Sequence, residues 1–531
     1  MTHNKGMKGN KFTKGALILV ICNLVGKVIG AFYRIPLARI IGGVGMGQYQ
    51  LTFPLYCLIL TISTSGVPVA MSKLIAEYNV KKRFNDSKKL LFGAILFLTI
   101  ISALSTVAVM FGAKIIAKWQ GNVNNYICYY GIAPAVLFVG VLSAFRGFFQ
   151  GNLFMVPSAI SGLVEQVVKM IAGIFLAKAF LWKGVEYAVF GALLGVSISE
   201  FVAFLFLAIF YIFYSKKNFR KSEGESRSLK VLSKELFALS IPITLGGLVS
   251  PLTGLVDSLL VVNLLMVAGF SNQTATMMLG IQSGVVEPLI NVPVVIAVSI
   301  SIALLPSVSG LVSSGSKKQA KLLIEKAFQI TMSISLACLV AFTIFGGQIL
   351  EFLYGASFDL DELSIALKLL FLGGFNIVFL SLVQVTTSVL QGLGMPKYPV
   401  KTLIVGCAVK VVLNVCLISI KNINIVGATI SCVACYLIVF ILNFRKINKI
   451  VSIDLKKPLF YVSIQTLCVC VFAFLFNKLF SFLLSGYLPL IFSGIIAVAV
   501  FALTYYLFFI RHKASDSALI STHWLASLGL I

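Results

Sequence analysis

Acidic residues are scarce in this chain. Seventeen Asp and Glu stand against 43 Lys and Arg, and charged residues of both signs make up only 11% of the 531 residues. A soluble domain carries about 25% charged residues, so the composition excludes an ordinary soluble globular fold. Histidine occurs three times, at His3, His512 and His523, all near the termini. That argues against a histidine proton relay or an intramembrane histidine metal site. The ten cysteines all fall within apolar runs. Cys432 and Cys435 form a C-x-x-C in the middle of one such run with no second pair, which reads as small core residues rather than a metal or redox centre. No small-residue cleavage site follows the first apolar run, which is long and holds internal charges, so it is not expected to be a cleavable signal peptide.

What the chain does have is hydrophobicity, at 59% of residues and a mean hydropathy of +1.01. It is divided into many runs of about 20 residues, the length that crosses a bilayer. The expected spans are 15–42, 49–70, 90–112, 126–148, 157–180, 187–214, 237–266, 277–311, 327–345, 364–391, 399–420, 425–444, 458–480 and 488–510. The fold class is therefore all-α and polytopic, with about fourteen transmembrane helices. The net charge of +26 would suggest nucleic acid in a soluble protein. Here most of the cations sit in short loops, at Lys5 to Lys14, Lys81 to Arg83, Lys317 to Lys326 and Arg445 to Lys457, and alternate loops collect them on one side. The positive-inside rule and attraction to anionic lipid explain that pattern without nucleic acid, and place both termini in the cytoplasm.

The first span carries Lys27, Arg34 and Arg39. A cation at the middle of a membrane helix costs about 2.5–3.5 kcal/mol on insertion scales. At about 100° per residue Lys27 and Arg34 share a face. Gly26 and Gly30 lie beside that face and let another backbone approach. Pro36 is expected to bend the helix exit, and a Gly-rich turn (Gly42, Gly43, Gly45, Gly47) to follow. A cationic stripe facing inward fits an anionic cargo, since arginine offers a planar fork to phosphate oxygens and lysine a point charge. Arg39 fits cargo contact or an interfacial arginine reaching headgroups. Arg146, at the end of the fourth span, fits cargo contact or loop anchoring.

The halves of the chain echo each other. Gln150-Gly151 precedes Val168-Lys169 by the same interval as Gln391-Gly392 precedes Val409-Lys410, and Pro54-Leu55 matches Pro288-Leu289. Six spans separate the matches, an even number, so the repeat is parallel. It divides the chain into an N-terminal lobe (1–214), a polar linker (215–235), a C-terminal lobe (236–445) and an appended pair of helices with the tail (446–531). Glu165 and Lys169 are four apart in the favourable order for a helical ion pair. In the second lobe Gly406 stands where Glu165 would be, so Lys410 is expected to lack a matching acid and to face water or cargo. Asp257, Glu200 and Glu287 are intramembrane acids, each a candidate for coupling. Asp359-Leu360-Asp361 is formally a D-x-D metal motif of a membrane glycosyltransferase or polymerase, but it is short, common by chance and placed just before a span, which reads as an acidic helix start.

GKVIGAFYRIPLARIIG at 26–42, GVPVAMSKLIAEY at 66–78, RGFFQGNLFMVPSAISGLVEQVVK at 146–169 and PLINVPVVIAVSISIALLPSVSG at 288–310 resemble the oligosaccharide flippases of the MATE-like (MOP) superfamily, in the MurJ and stage V sporulation protein B group. The resemblance covers nearly the whole chain. It implies two six-helix lobes, a cationic central cavity, two extra C-terminal helices, and transport of a polyprenyl-pyrophosphate-linked saccharide across the bacterial plasma membrane, alongside proteins of cell-wall synthesis. It puts Lys27, Arg34, Arg39, Arg146, Lys169 and Lys410 forward for substrate binding, with Lys27 where arginine is common in the family. Some members bind sodium between an acid and polar residues, an arrangement that Asp257, Asn414 and Thr429 resemble, although a second acid is missing after Asn414. Coupling through the membrane potential is the other route, and no further cofactor is implied. A MATE-type drug exporter keeps the fold but wants an acidic cavity for its mostly cationic compounds, whereas the first span here is basic.

Overall fold

The computed structural model describes residues 3–64, 66–217, 226–484 and 486–507. All regular structure among them is helical: α1 (His3–Thr64), α2 (Val67–Val80), α3 (Phe84–Trp119), α4 (Tyr126–Gly151), α5 (Val156–Phe180), α6 (Val185–Lys217), α7 (Leu229–Gly247), α8 (Val249–Val267), α9 (Asn272–Leu279), α10 (Glu287–Ser313), α11 (Lys317–Tyr354), α12 (Leu360–Gly392), α13 (Lys397–Ile418), α14 (Val426–Val451), α15 (Lys456–Leu483) and α16 (Leu488–Tyr505). Twelve segments of the described residues are long and apolar enough to cross a membrane. The first of them, Ile21–Val80, is broken at Gly42 and makes two passes, and α7 with α8 supplies one more, which accounts for the fourteen expected.

Apolar side chains cover the outside as well as the inside. On α3, Leu90, Leu91, Ala94 and Leu98 are buried while Phe92, Leu96, Ile100, Leu104 and Phe111 are exposed. An apolar stripe of that length on an outer face is what hydrocarbon solvates and water does not. This is a multi-pass membrane protein.

Several boundaries differ from the sequence reading. The first span and the segment before it form one helical arm that breaks at Gly42 (φ 67°) rather than at Pro36 or along the whole glycine run, and a second arm carries on from there to Thr64. Glycine tolerates that conformation at no steric cost, whereas Pro36 with its fixed φ stays inside the helix. The expected seventh span is two helices meeting at Leu248. The linker expected over 215–235 is shorter, because α6 runs to Lys217 and α7 starts at Leu229; its middle, together with Arg511, His512, Lys513 and His523, lies outside the described residues. The linker exit is held by Asp86, which accepts from Ser226 Oγ (2.9 Å) and Arg227 N (3.0 Å) and pairs with Arg83 (3.0 Å).

The chain packs into two compact units. One is drawn from Met1–Val292, Ala356–Ile365 and Cys407–Ser431, the other from Pro293–Gly355, Ala366–Gly406 and Cys432–Ile531. The core of the first joins Met71, Ile75, Leu90, Leu91, Phe148, Phe149 and Leu207, with the Phe149 ring edge-on to Phe210 (5.5 Å) and Tyr214 (5.6 Å). The core of the second joins Leu304, Val308, Phe328, Leu382, Val385 and Val389.

The internal repeat appears as geometry. Gly151 and Gly392 each end a helix. Leu153 N donates to Gln150 O and Phe154 N to Phe149 O, both at 3.0 Å; Gly394 N donates to Gln391 O at 3.0 Å and Met395 N to Leu390 O at 2.9 Å. Leu153 (φ 57°) and Gly394 (φ 82°) hold the same left-handed position, the common way to close a helix C-terminus. Lys169 then falls 13 residues after Val156 and Lys410 13 residues after Lys397, so both sit at one register of their helices.

The D-x-D pair is a helix start. Glu362 N donates to Asp359 Oδ1 at 2.7 Å and Asp359 N to Glu362 Oε2 at 3.3 Å, a reciprocal capping box that commits the Asp359 carboxylate to α12.

Candidate functional site: a cationic cavity

A cavity of about 310 Å³ opens in the first unit, walled by Gly30, Tyr33 and Arg34 of α1 before its break, Tyr49, Gln50 and Phe53 after it, Lys169 of α5, and Glu287, Pro288 and Asn291 of α10. The wall thus bears two cations and one acid.

Arg34 is held in place by backbone. The segment Gly280–Val286 between α9 and α10 is a π-helical turn. Such turns release carbonyls from the usual ladder and cluster at functional sites. Here the freed carbonyl of Ser283 accepts from Arg34 Nη1 at 3.0 Å and also from Gln50 Nε2. A neutral acceptor positions the guanidinium without cancelling its charge.

Lys169 was expected to pair with Glu165 one turn earlier. The structure gives Glu165 to Arg146 instead, at 2.9 Å, with Gln166 Nε2 donating to the other carboxylate oxygen at 2.9 Å and Arg146 Nε donating to Ser161 Oγ at 3.1 Å. Arg146 is an interior anchor between α4 and α5, and Lys169, on whose charge Glu165 and Glu200 both act, is turned to the cavity wall. The physical reason is geometric: the Arg146 guanidinium, reaching across from a neighbouring helix, donates to Glu165 and Ser161 at once, which an ammonium on the same helix cannot match.

Lys410 is corrected likewise. It is 7% exposed and its Nζ donates to Asp257 Oδ2, so the acid missing from its own helix is supplied by α8. Asn414 Nδ2 donates to Asp257 Oδ1 at 3.0 Å. Among the described residues these are the partners of Asp257; Thr429 is buried but is not one of them. Glu287 stands between the two groups, with the charges of Lys410, Asp257 and Arg34 all acting on it. Glu200 is buried and accepts from Tyr56 Oη at 2.7 Å, away from the cavity wall.

Lys27 and Arg39 are both exposed on α1 and are not part of the wall. What approaches Gly26 and Gly30 is the side chain of Gln166, not another backbone: a Cβ at either would lie 3.4 and 3.1 Å from it. Sequence reasoning missed Gln50 and the Ser283 turn. Their signal was a Gly-x-x-x-Gly with two polar residues, Gly280 to Gly284, opening an otherwise apolar span.

The chain matches the polysaccharide biosynthesis protein family over residues 12–312, more than half its length. It belongs to that family. The MatE family also matches, over residues 242–416. This polysaccharide biosynthesis family member is 26% identical to stage V sporulation protein B of Bacillus subtilis (strain 168) over 468 residues, 88% of this chain and 89% of that protein. It is 28% identical to the lipid II flippase MurJ of the same organism over 463 residues, 83% of each. With the uncharacterized membrane protein YabM, also of that organism, it shares 30% identity over 452 residues, 85% of this chain and 82% of that one. Among solved structures, a lipid II flippase MurJ in an inward closed conformation shares the fold with a TM-score of 0.71 at 15% identity, covering 93% of this chain and 99% of that one. An inward-facing multidrug resistance MATE transporter of the MOP superfamily follows at 0.63 and 14%, covering 80% and 94%. The polysaccharide biosynthesis family member thus shares the fold of the MurJ and MATE transporter structures, and one of the relatives named above is a lipid II flippase.

Proposed function

We propose that this transporter flips a polyprenyl-pyrophosphate-linked saccharide, of the lipid II type, across the plasma membrane by alternating exposure of the cavity to its two sides. The observation that carries this reading is Arg34, fixed by the Ser283 carbonyl and set with Lys169 on the wall of one cavity. Two phosphates leaving water need cations and donors to replace their hydration. Arg34 offers a fork and Lys169 a point charge, while Glu287 keeps the wall from holding the anion too tightly to release. The saccharide head occupies the cavity and the lipid tail remains in the bilayer. Both termini and the basic loops face the cytoplasm by the positive-inside rule, and the two repeat halves, 1–214 and 236–445, are the moving lobes.

A second reading has two observations in its favour. Glu287 and the MatE match suit an exporter of organic cations, which would use the acid and tolerate the cations. Complementation separates the two. Expressed in a strain depleted of its lipid II flippase, the protein is expected to restore growth and outer-surface exposure of lipid II. Failure to do so by a protein that inserts normally, together with resistance to cationic dyes, would favour export.

A further inference from the structure

Asp257 lies where about one turn of α8 faces two turns of α13. Thr253, one turn before it, meets Cys407 (Oγ1 to Sγ, 2.9 Å), and Lys410 and Asn414 follow on the same face of α13. The oxygen donors here are those of a site for a monovalent cation: both oxygens of Asp257, and Asn414 Oδ1, which is buried with no hydrogen-bond partner. Glu287 lies near enough for the charges of Lys410 and Asp257 to act on it. A free sodium ion does not fit this set as it stands, because the ammonium of Lys410 already sits on Asp257 Oδ2 and the amide of Asn414 donates to Oδ1.

We infer that the Lys410 ammonium is a tethered replacement for a monovalent cation at Asp257, so this site does not take sodium, and removing the amine turns it into one that does. The Asp257 carboxylate and the Lys410 ammonium compensate each other. Taking the amine away leaves a carboxylate uncompensated in a largely buried setting, which a small cation with oxygen preference relieves. Asn414 can then turn its amide, so that the now unpartnered Oδ1 joins Asp257 as a ligand. With the lysine in place, positive charge at this point stays on the protein through the transport cycle, and a sodium gradient has no hold here.

The test reads binding, not flipping, so it stands apart from the cargo assignment. The full-length protein in detergent is melted in sodium chloride, potassium chloride and choline chloride at equal ionic strength. The wild type is expected to melt at one temperature in all three. The Lys410→Met variant is expected to show a sodium-specific, saturable rise of a few degrees, lost again when Asp257→Asn is added. Lys410→Gln serves if the methionine variant does not fold. A saturable sodium-specific rise in the wild type that Asp257→Asn removes would overturn the inference, as would folded lysine variants indifferent to sodium.

Discussion

Replacing Arg34 by alanine is expected to cut flipping by about 10- to 100-fold while leaving membrane insertion intact. A hydrogen bond to a charged group contributes about 1.5–3 kcal/mol, and each 1.4 kcal/mol is about tenfold. Two effects act together in this variant. The cargo loses its guanidinium fork, and the Ser283 carbonyl loses the Arg34 donor while keeping Gln50. Arg34→Lys is expected to recover part of the rate, because it restores charge but not the planar fork. Lipid II exposed at the outer surface, measured in cells depleted of the native flippase, checks the series. Equal exposure for wild type and Arg34→Ala would remove Arg34 from the transport path. Lys27→Ala, by contrast, changes a side chain away from the cavity wall and is expected to have the smaller effect.

Gly47→Ala and Gly280→Ala are each expected to lower the melting temperature by several degrees and to slow flipping with it. The second arm of α1 runs against α9 and the π-helical turn with no room for a side chain. A Cβ on Gly47 would lie 1.9 Å from Thr276 O, and one on Gly280 would lie 2.0 Å from Gly43 O and 2.4 Å from Gly47 N. These neighbours are backbone atoms, so no rotamer can yield and the helices must part. Overpacking of this kind typically costs about 1–3 kcal/mol. Ser283 lies on the same turn as Gly280, so the displacement reaches the carbonyl that holds Arg34. Gly310→Ala is the control, since a Cβ there meets nothing within 4 Å. Thermal melts of the purified variants read the result; a Gly280→Ala protein as stable as wild type would mean the two segments are not locked together.

The sequence was most legible where one helix settles the matter. Arg34 stood out because a cation inside an apolar run is costly, and it lines the cavity. The repeat stood out because Gln150-Gly151 and Gln391-Gly392 close their helices with one kind of turn, and turn chemistry is local. Pairings between helices were not legible. The spacing rule joined Glu165 to Lys169, but a guanidinium 19 positions away in the chain took the carboxylate. Lys410 looked uncompensated because its own helix offers no acid, yet its partner lies 153 positions away on α8. Helical periodicity places side chains on faces and says nothing of which foreign helix meets that face. The shared face of Lys27 and Arg34 illustrates the limit: two turns apart along α1, one reaches the cavity wall and the other does not. The break at Gly42 was hidden by Pro36, the stronger helix breaker in isolation, whose missing donor costs little when neighbouring helices support the bend.

On the proposed function, the wall formed by Arg34 and Lys169 receives pyrophosphate. Binding of undecaprenyl pyrophosphate and of undecaprenol to the purified protein, followed by native mass spectrometry, tests it most directly. The wild type is expected to retain the pyrophosphate lipid and not the neutral alcohol, and the Arg34→Ala, Lys169→Ala double variant to lose that preference. Equal retention of both lipids by the wild type, or an undiminished preference in the double variant, would contradict the account.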